Sequence, residues 1–108
     1  MKTVVAGPRH SPREYRSGAD VFKALGHSSR LLIVDVLAEG EQCVGELTRM
    51  VGSDASTVSN HLAVLRNVGL VIDEKRGQQV FYRLGAPCVT KIFHCLEEIR
   101  AARENHHR

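Results

Sequence analysis

The chain has 108 residues, of which 43% are hydrophobic and 25% charged, with a formal net charge of +3 and a sequence pI of about 9.0. That composition belongs to one globular domain, and a domain so small buries only about two-thirds of the surface its unfolded form exposes, so a second copy is an expected partner. No apolar run nears the roughly 18 residues of a membrane span, MKTVVAGPRHSPREYR breaks into Gly, Pro and charge before a signal core forms, and three cysteines make no complete disulfide framework; the expectation is a cytoplasmic protein with reduced thiols and no membrane partner.

Residues 1–16 carry two of the three prolines and are expected to form a flexible arm. From Ser17, Val21, Phe22 and Leu25 fall at helical spacing before Gly26, a short amphipathic first helix. A second, capped by His27 or Ser28, runs from Arg30 to Glu39, and its Leu31, Leu32, Val34, Val36 and Leu37 imply burial on more than one side. Val44, Leu47, Met50 and Val51 mark a third helix that Gly52 ends. Ser53 is expected to open the fourth: its hydroxyl can accept from first-turn N–H groups, and Asp54 adds a charge favourable at the positive end of the helix dipole. This helix ends near Asn67, before Gly69. Val80, Tyr82 and Leu84 then alternate with Phe81 and Arg83 around a turn at Arg76-Gly77-Gln78, which predicts a β-hairpin. Pro87 suits the first position of a last helix, where Val89, Ile92, Phe93, Leu96 and Ile99 sustain the spacing to about Arg103. The organisation is thus an arm over 1–16, one mainly helical domain over 17–104 and a loose tail over 105–108.

The fourth helix carries the sharpest functional signal. Val58, Leu62 and Leu65 share one side and must face the core, whereas Ser56, Asn60, Ala63 and Asn67 lie opposite, flanked by Thr57 and Ser59. Short hydroxyl and amide side chains enter a major groove without bulk, and Asn can pair bidentately with adenine. The third helix, a short turn and this helix have the layout of a helix-turn-helix, and the hairpin supplies a wing on which Lys75, Arg76, Gln78 and Gln79 can reach phosphates or a minor groove. Ser53 at the start of the helix joins the candidate contacts.

VFKALGHSSRLLIVDVL, then ELTRMVGSDASTVSNHLAVLRNVGLVIDEKRGQQVFYRL, resembles the ArsR/SmtB family of dimeric winged-helix repressors across residues 20–100. The run from Ser56 to Val71, with Ser59, His61, Leu62, Leu65 and Gly69 at its fixed places, and the wing RGQQVFYRL carry the likeness. It implies a winged helix-turn-helix fold and a homodimer joined through the first and last helices. It also implies a double-stranded DNA operator with an inverted repeat, released when an inducer binds. His61 falls at the family's histidine; on the helical projection it borders the buried face, which favours packing or a phosphate contact over base reading.

Inducer sites in this family are built from cysteines or histidines. Cys43 lies in E-x-C-V-x-E-L, similar to the E-L-C-V-C-D-L box of arsenite-responsive members, but Gly45 replaces the second cysteine, so Cys43 needs partners from elsewhere. Cys88 and Cys95 are the candidates. Seven residues of helix separate them by about 10 Å, whereas two sulfurs on one ion sit about 4 Å apart, so both cannot hold one centre unless the first turn unwinds or a second element or subunit contributes. Cys88, just inside the helix, would have its thiolate favoured by the dipole. Ile99 and Ala102 occupy the later histidine positions of zinc-sensing relatives, which argues against a zinc site of that kind. Cys88, Ile92, Cys95 and Ile99 also form a seam in which a buried thiol packs as a small hydrophobe.

The expected function is a repressor that senses arsenite or a similar soft ion through Cys43 with Cys88 or Cys95, with no obligatory cofactor. Alternatives are a redox or persulfide trigger on the same fold and a winged-helix module that contacts proteins. With no phosphate loop, paired-carboxylate cleft or nucleophile motif, an enzyme is not expected.

Overall fold

A computed structural model describes residues 7–106. The parts of the arm and tail at 1–6 and 107–108 lie outside the described residues.

Helix α1 (Pro12–Leu25) begins before the expected Ser17, which shortens the arm. The cause is a capping box: the Ser11 hydroxyl accepts from the Glu14 N–H at 3.1 Å, and the Glu14 carboxylate accepts from the Ser11 N–H at 2.8 Å. Pro12, weighed in the sequence as a breaker, sits at the first helical position, where its missing N–H costs nothing. Helix α2 (Ser28–Leu37) is capped by His27, whose Nδ1 accepts from the Ser29 N–H at 3.1 Å. A two-residue strand β1 (Gln42–Cys43) precedes α3 (Val44–Val51), which Gly52 closes with a φ of 79°. Helix α4 (Ala55–Asn67) follows, then strands β2 (Val71–Arg76) and β3 (Gln79–Leu84). Pro87–Thr90 form a 3₁₀ turn, and α5 (Lys91–His106) extends past the expected end, so that Asn105 and His106, expected in the loose tail, are helical.

The fold is mainly helical with a small antiparallel sheet of order β1-β3-β2. Arg76 pairs with Gln79, leaving a two-residue loop in which Gly77 alone has positive φ, at 62°, as a type II′ hairpin turn requires. The third strand was not foreseen, because two residues carry no periodicity and β1 exists only through its pairing of Gln42 with Tyr82 and Cys43 with Phe81.

Ile33 and Val34 of α2, Leu47 of α3, and Val58, Leu62 and Leu65 of α4 are fully buried, joined by Leu37, Leu70, Val71 and Val89. This shared core fixes α4 against α3 and turns its polar side outward. The end of α4 is locked to the sheet twice. Arg66 pairs with Asp73 at 3.1 Å, and the Gly85 N–H donates to the Leu70 carbonyl at 2.8 Å. A Cβ at Gly85 would stand 2.7 Å from the Gly69 carbonyl oxygen, so this approach of backbone to backbone needs glycine. Among the described residues no helix is long and apolar enough to cross a membrane.

Candidate nucleic-acid interface

Three residues, Gly52, Ser53 and Asp54, connect α3 to α4. Asp54, not Ser53, caps α4: its Oδ1 accepts from the Thr57 N–H at 2.8 Å and from the Ser56 hydroxyl at 3.0 Å. These bonds, the Thr57 N–H first, hold the Asp54 carboxyl below its ordinary range. Ser53 is half-buried in the turn. The helix thus starts one residue later than expected, and the charged Asp54 carboxylate, rather than the Ser53 hydroxyl, meets the orphan N–H groups.

Ser56, Ser59 and Asn60 are exposed on α4, with Asn67 further along, and Thr57 is half-buried. Within α4 itself Arg66 is the one side chain from Lys, Arg, Asp or Glu, and it lies near the end of the helix, paired with Asp73. His61 does not belong to the surface. It is 8% exposed, its Nδ1 lies 3.2 Å from Nη1 of Arg30, and its ring centroid lies 4.5 Å from that of His27. Burial, then the neighbouring His27 and Arg30 charges, lower its pKa. The place of His61 in DNA contact is therefore corrected: it packs behind the reading face and receives a hydrogen bond from Arg30, whose Nε also donates to the Ala24 carbonyl at 2.5 Å. Sequence reading missed Arg30, which lies far from His61 along the chain.

Lys75, Arg76, Gln78 and Gln79 are exposed on the wing. Lys75 makes no ion pair among the described residues, whereas Arg76 is held by Glu41 and Glu74 and lies over the Phe81 ring. Glu41, unremarked in the sequence, thus becomes part of the wing.

The three thiols are free and dispersed over different elements. Cys43 is half-buried at the junction of β1 and α3, while Cys88 and Cys95 are exposed. Cys88 sits in the 3₁₀ turn that runs into α5 and not inside that helix. Cys95 is not buried within the chain. Among the described residues, no group of three His, Cys, Asp or Glu side chains is placed to hold a metal ion.

A second helix that offers hydroxyls and an amide to solvent, braced by a first and flanked by a hairpin, defines a winged helix-turn-helix DNA-binding protein. The family described as bacterial regulatory protein, arsR family, matches residues 27–73. The chain is 38% identical over 86 residues to the biofilm growth-associated repressor of Xylella fastidiosa (strain 9a5c), which covers 80% of this chain and 75% of that one. It is 40% identical over 82 residues to the arsenic resistance transcriptional regulator ArsR1 of Pseudomonas putida, covering 75% of this chain and 64% of the other. The solution structure of the homodimeric winged helix-turn-helix DNA-binding domain Mb0332 of Mycobacterium bovis aligns with a TM-score of 0.75 and 31% identity, over 96% of this chain and 97% of that one. The chain belongs to the arsR family of bacterial regulatory proteins. It is a DNA-binding transcriptional repressor of that family, not an enzyme.

Proposed function

We propose that two copies of this chain bind an inverted-repeat operator in the cytoplasm and release it when an inducer engages their thiols. The observation that carries the reading is the outward side of α4, where Ser56, Ser59 and Asn60 stand exposed while Val58, Leu62 and Leu65 anchor the opposite side in the core. Ser56, Ser59 and Asn60 read base edges. Ser53 and Thr57, at the start of the helix, contact the backbone, and Lys75, Gln78 and Gln79 hold the wing to phosphates. Selection from a random duplex pool tests this: it should return an inverted repeat with half-sites one helical turn apart, bound with a steep salt dependence. A protein that selects no duplex would return the module that contacts proteins to first place.

The inducer is a soft, thiol-seeking species. Cys43 in its arsenite-like box supports this, as does the arsenic resistance named for the Pseudomonas putida relative. The dispersal of the cysteines within one protomer favours a centre completed by the partner subunit, or a trigger that needs no chelate. Arsenite and a polysulfide, titrated separately against the selected duplex, distinguish the two: release by arsenite supports the shared centre, and release by polysulfide with a mass gain on the thiols supports the redox trigger. Indifference to both would remove thiol sensing altogether. Cys43→Ser should abolish whichever response is found.

A further inference from the structure

The arginine nearest the wing tip is already occupied. Nη1 of Arg76 donates to Oε1 of Glu41 at 2.5 Å and Nη2 to Oε2 at 2.9 Å, a bidentate pairing, while Nη2 also donates to Oε1 of Glu74 at 3.0 Å. The sheet order explains the reach. Phe81 on the central strand β3 faces Glu74 on β2 and Cys43 on β1, and the Arg76 guanidinium lies 4.7 Å from the Phe81 ring centroid on its way to Glu41, the residue before β1. Arg76 alone thus meets two carboxylates, while Lys75 makes no ion pair among the described residues, so much of the cationic character that the tip showed in the sequence is offset by Glu41 and Glu74.

A carboxylate and a phosphate match a guanidinium with the same bidentate geometry, so the Nη1–Nη2 edge of Arg76 cannot hold Glu41 and an operator phosphate in that way at once. We propose that Glu41 sets the affinity of this protein for DNA, by filling the fork of Arg76 that an operator phosphate would otherwise occupy. The proposal rests on the wing meeting DNA. On binding, Arg76 exchanges Glu41 for a phosphate, so the wild type loses the ion pair as it gains that contact, while the counterion of the phosphate is released with or without Glu41. Glu41 is exposed, and the side-chain hydrogen bonds it accepts come from Arg76 and not from the base-reading residues of α4.

The test uses the duplex selected by the wild type, with binding followed by fluorescence anisotropy over a salt series. Glu41→Gln keeps the shape and removes the charge. It should bind about two- to fivefold tighter at low salt, the scale of an exposed ion pair, with a slope of log K against log salt close to that of the wild type, because the same phosphates are neutralised in both. In an Arg76→Ala background the same substitution should leave the affinity unchanged. An equal gain in that background would show simple removal of a negative charge and overturn the proposal. No gain, or a loss, from Glu41→Gln would show that the pair orders the wing for DNA, and would overturn it too. Thermal melting of each variant establishes folding. The Arg76 Nε–H resonance gives a second readout in the unaltered protein: it should shift on DNA addition as Glu41 is released, and an unmoved resonance in a bound complex counts against the exchange. A wild type that selects no duplex overturns the repressor reading and this inference together, whereas a binding wild type with an indifferent Glu41→Gln overturns this inference alone.

Discussion

A guanidinium offers only donors, so the His61 Nδ1 that faces Arg30 at 3.2 Å must present a lone pair. Protonation would turn that acceptor into a donor beside a cation, in a site from which water is largely excluded. The folded pKa of His61 is lowered, so between it and the unfolded value of about 6.5 the unfolded chain binds more protons and stability rises with pH. The contribution is complete above the unfolded value and is lost as pH falls through the folded one. Urea unfolding should therefore give a lower midpoint at pH 5.5 than at pH 7.5, and His61→Gln, which keeps an acceptor and cannot titrate, should flatten that difference. An unchanged pH profile in the variant would place the proton elsewhere. Asn60 makes the opposite case, since it is exposed and supports no packing. Asn60→Ala should leave the melting temperature nearly unchanged yet cost about 1–3 kcal/mol of discrimination at one base pair, measured by competition between the selected duplex and a variant of it. Sequence projection separated the two roles, for it set Asn60 outward and His61 at the border. It gave no sign of Arg30 or Glu41, because a contact between residues far apart in the chain leaves no local period.

Among the elements, α4 was legible for a reason that does not depend on its boundaries. The cap moved from Ser53 to Asp54, but the outward side is fixed by Val58, Leu62 and Leu65, which occupy the core whichever residue starts the helix. Helix α1 was misjudged at its start because two prolines outweighed a capping box confined to Ser11 and Glu14, and β1 escaped notice because it has no pattern of its own. The shared core of α2, α3 and α4 is what aims the reading side chains. Leu62, fully buried at its centre, offers a direct test: Leu62→Ala should cost about 2–5 kcal/mol in urea unfolding. A cost below about 1 kcal/mol would mean that α4 is held mainly by its links to the sheet through Arg66 and Gly85.

The molecule as a whole does not enclose its apolar surface. Its radius of gyration is 17.0 Å and its extents are 61 × 39 × 21 Å, against about 13 Å for a compact chain of some 100 residues. Phe22 on α1 is 66% exposed and Ile99 on α5 is 49% exposed, with Tyr15 and Leu96 also open to solvent on the same two helices. A hollow of about 420 Å³ beside α5 is lined by Phe93, Leu96 and Ile99 together with the charged Asp35, Glu97, Arg100 and Arg103. The proposed two-fold pair would cover these large side chains left bare on two helices and would present two reading helices to one inverted repeat. Phe22→Glu combined with Ile99→Glu should therefore convert a dimer to a monomer in sedimentation while the α2, α3 and α4 core stays folded, since neither residue belongs to it. With only one reading helix per particle, the variant should lose the gain from linked half-sites, which is on the order of 10²-fold or more, and should bind a duplex carrying one half-site no worse than the parent protomer does. A double variant that remains dimeric and keeps full affinity for the inverted repeat would show that the two copies meet through a different surface, and the exposure of Phe22 and Ile99 would then need another occupant.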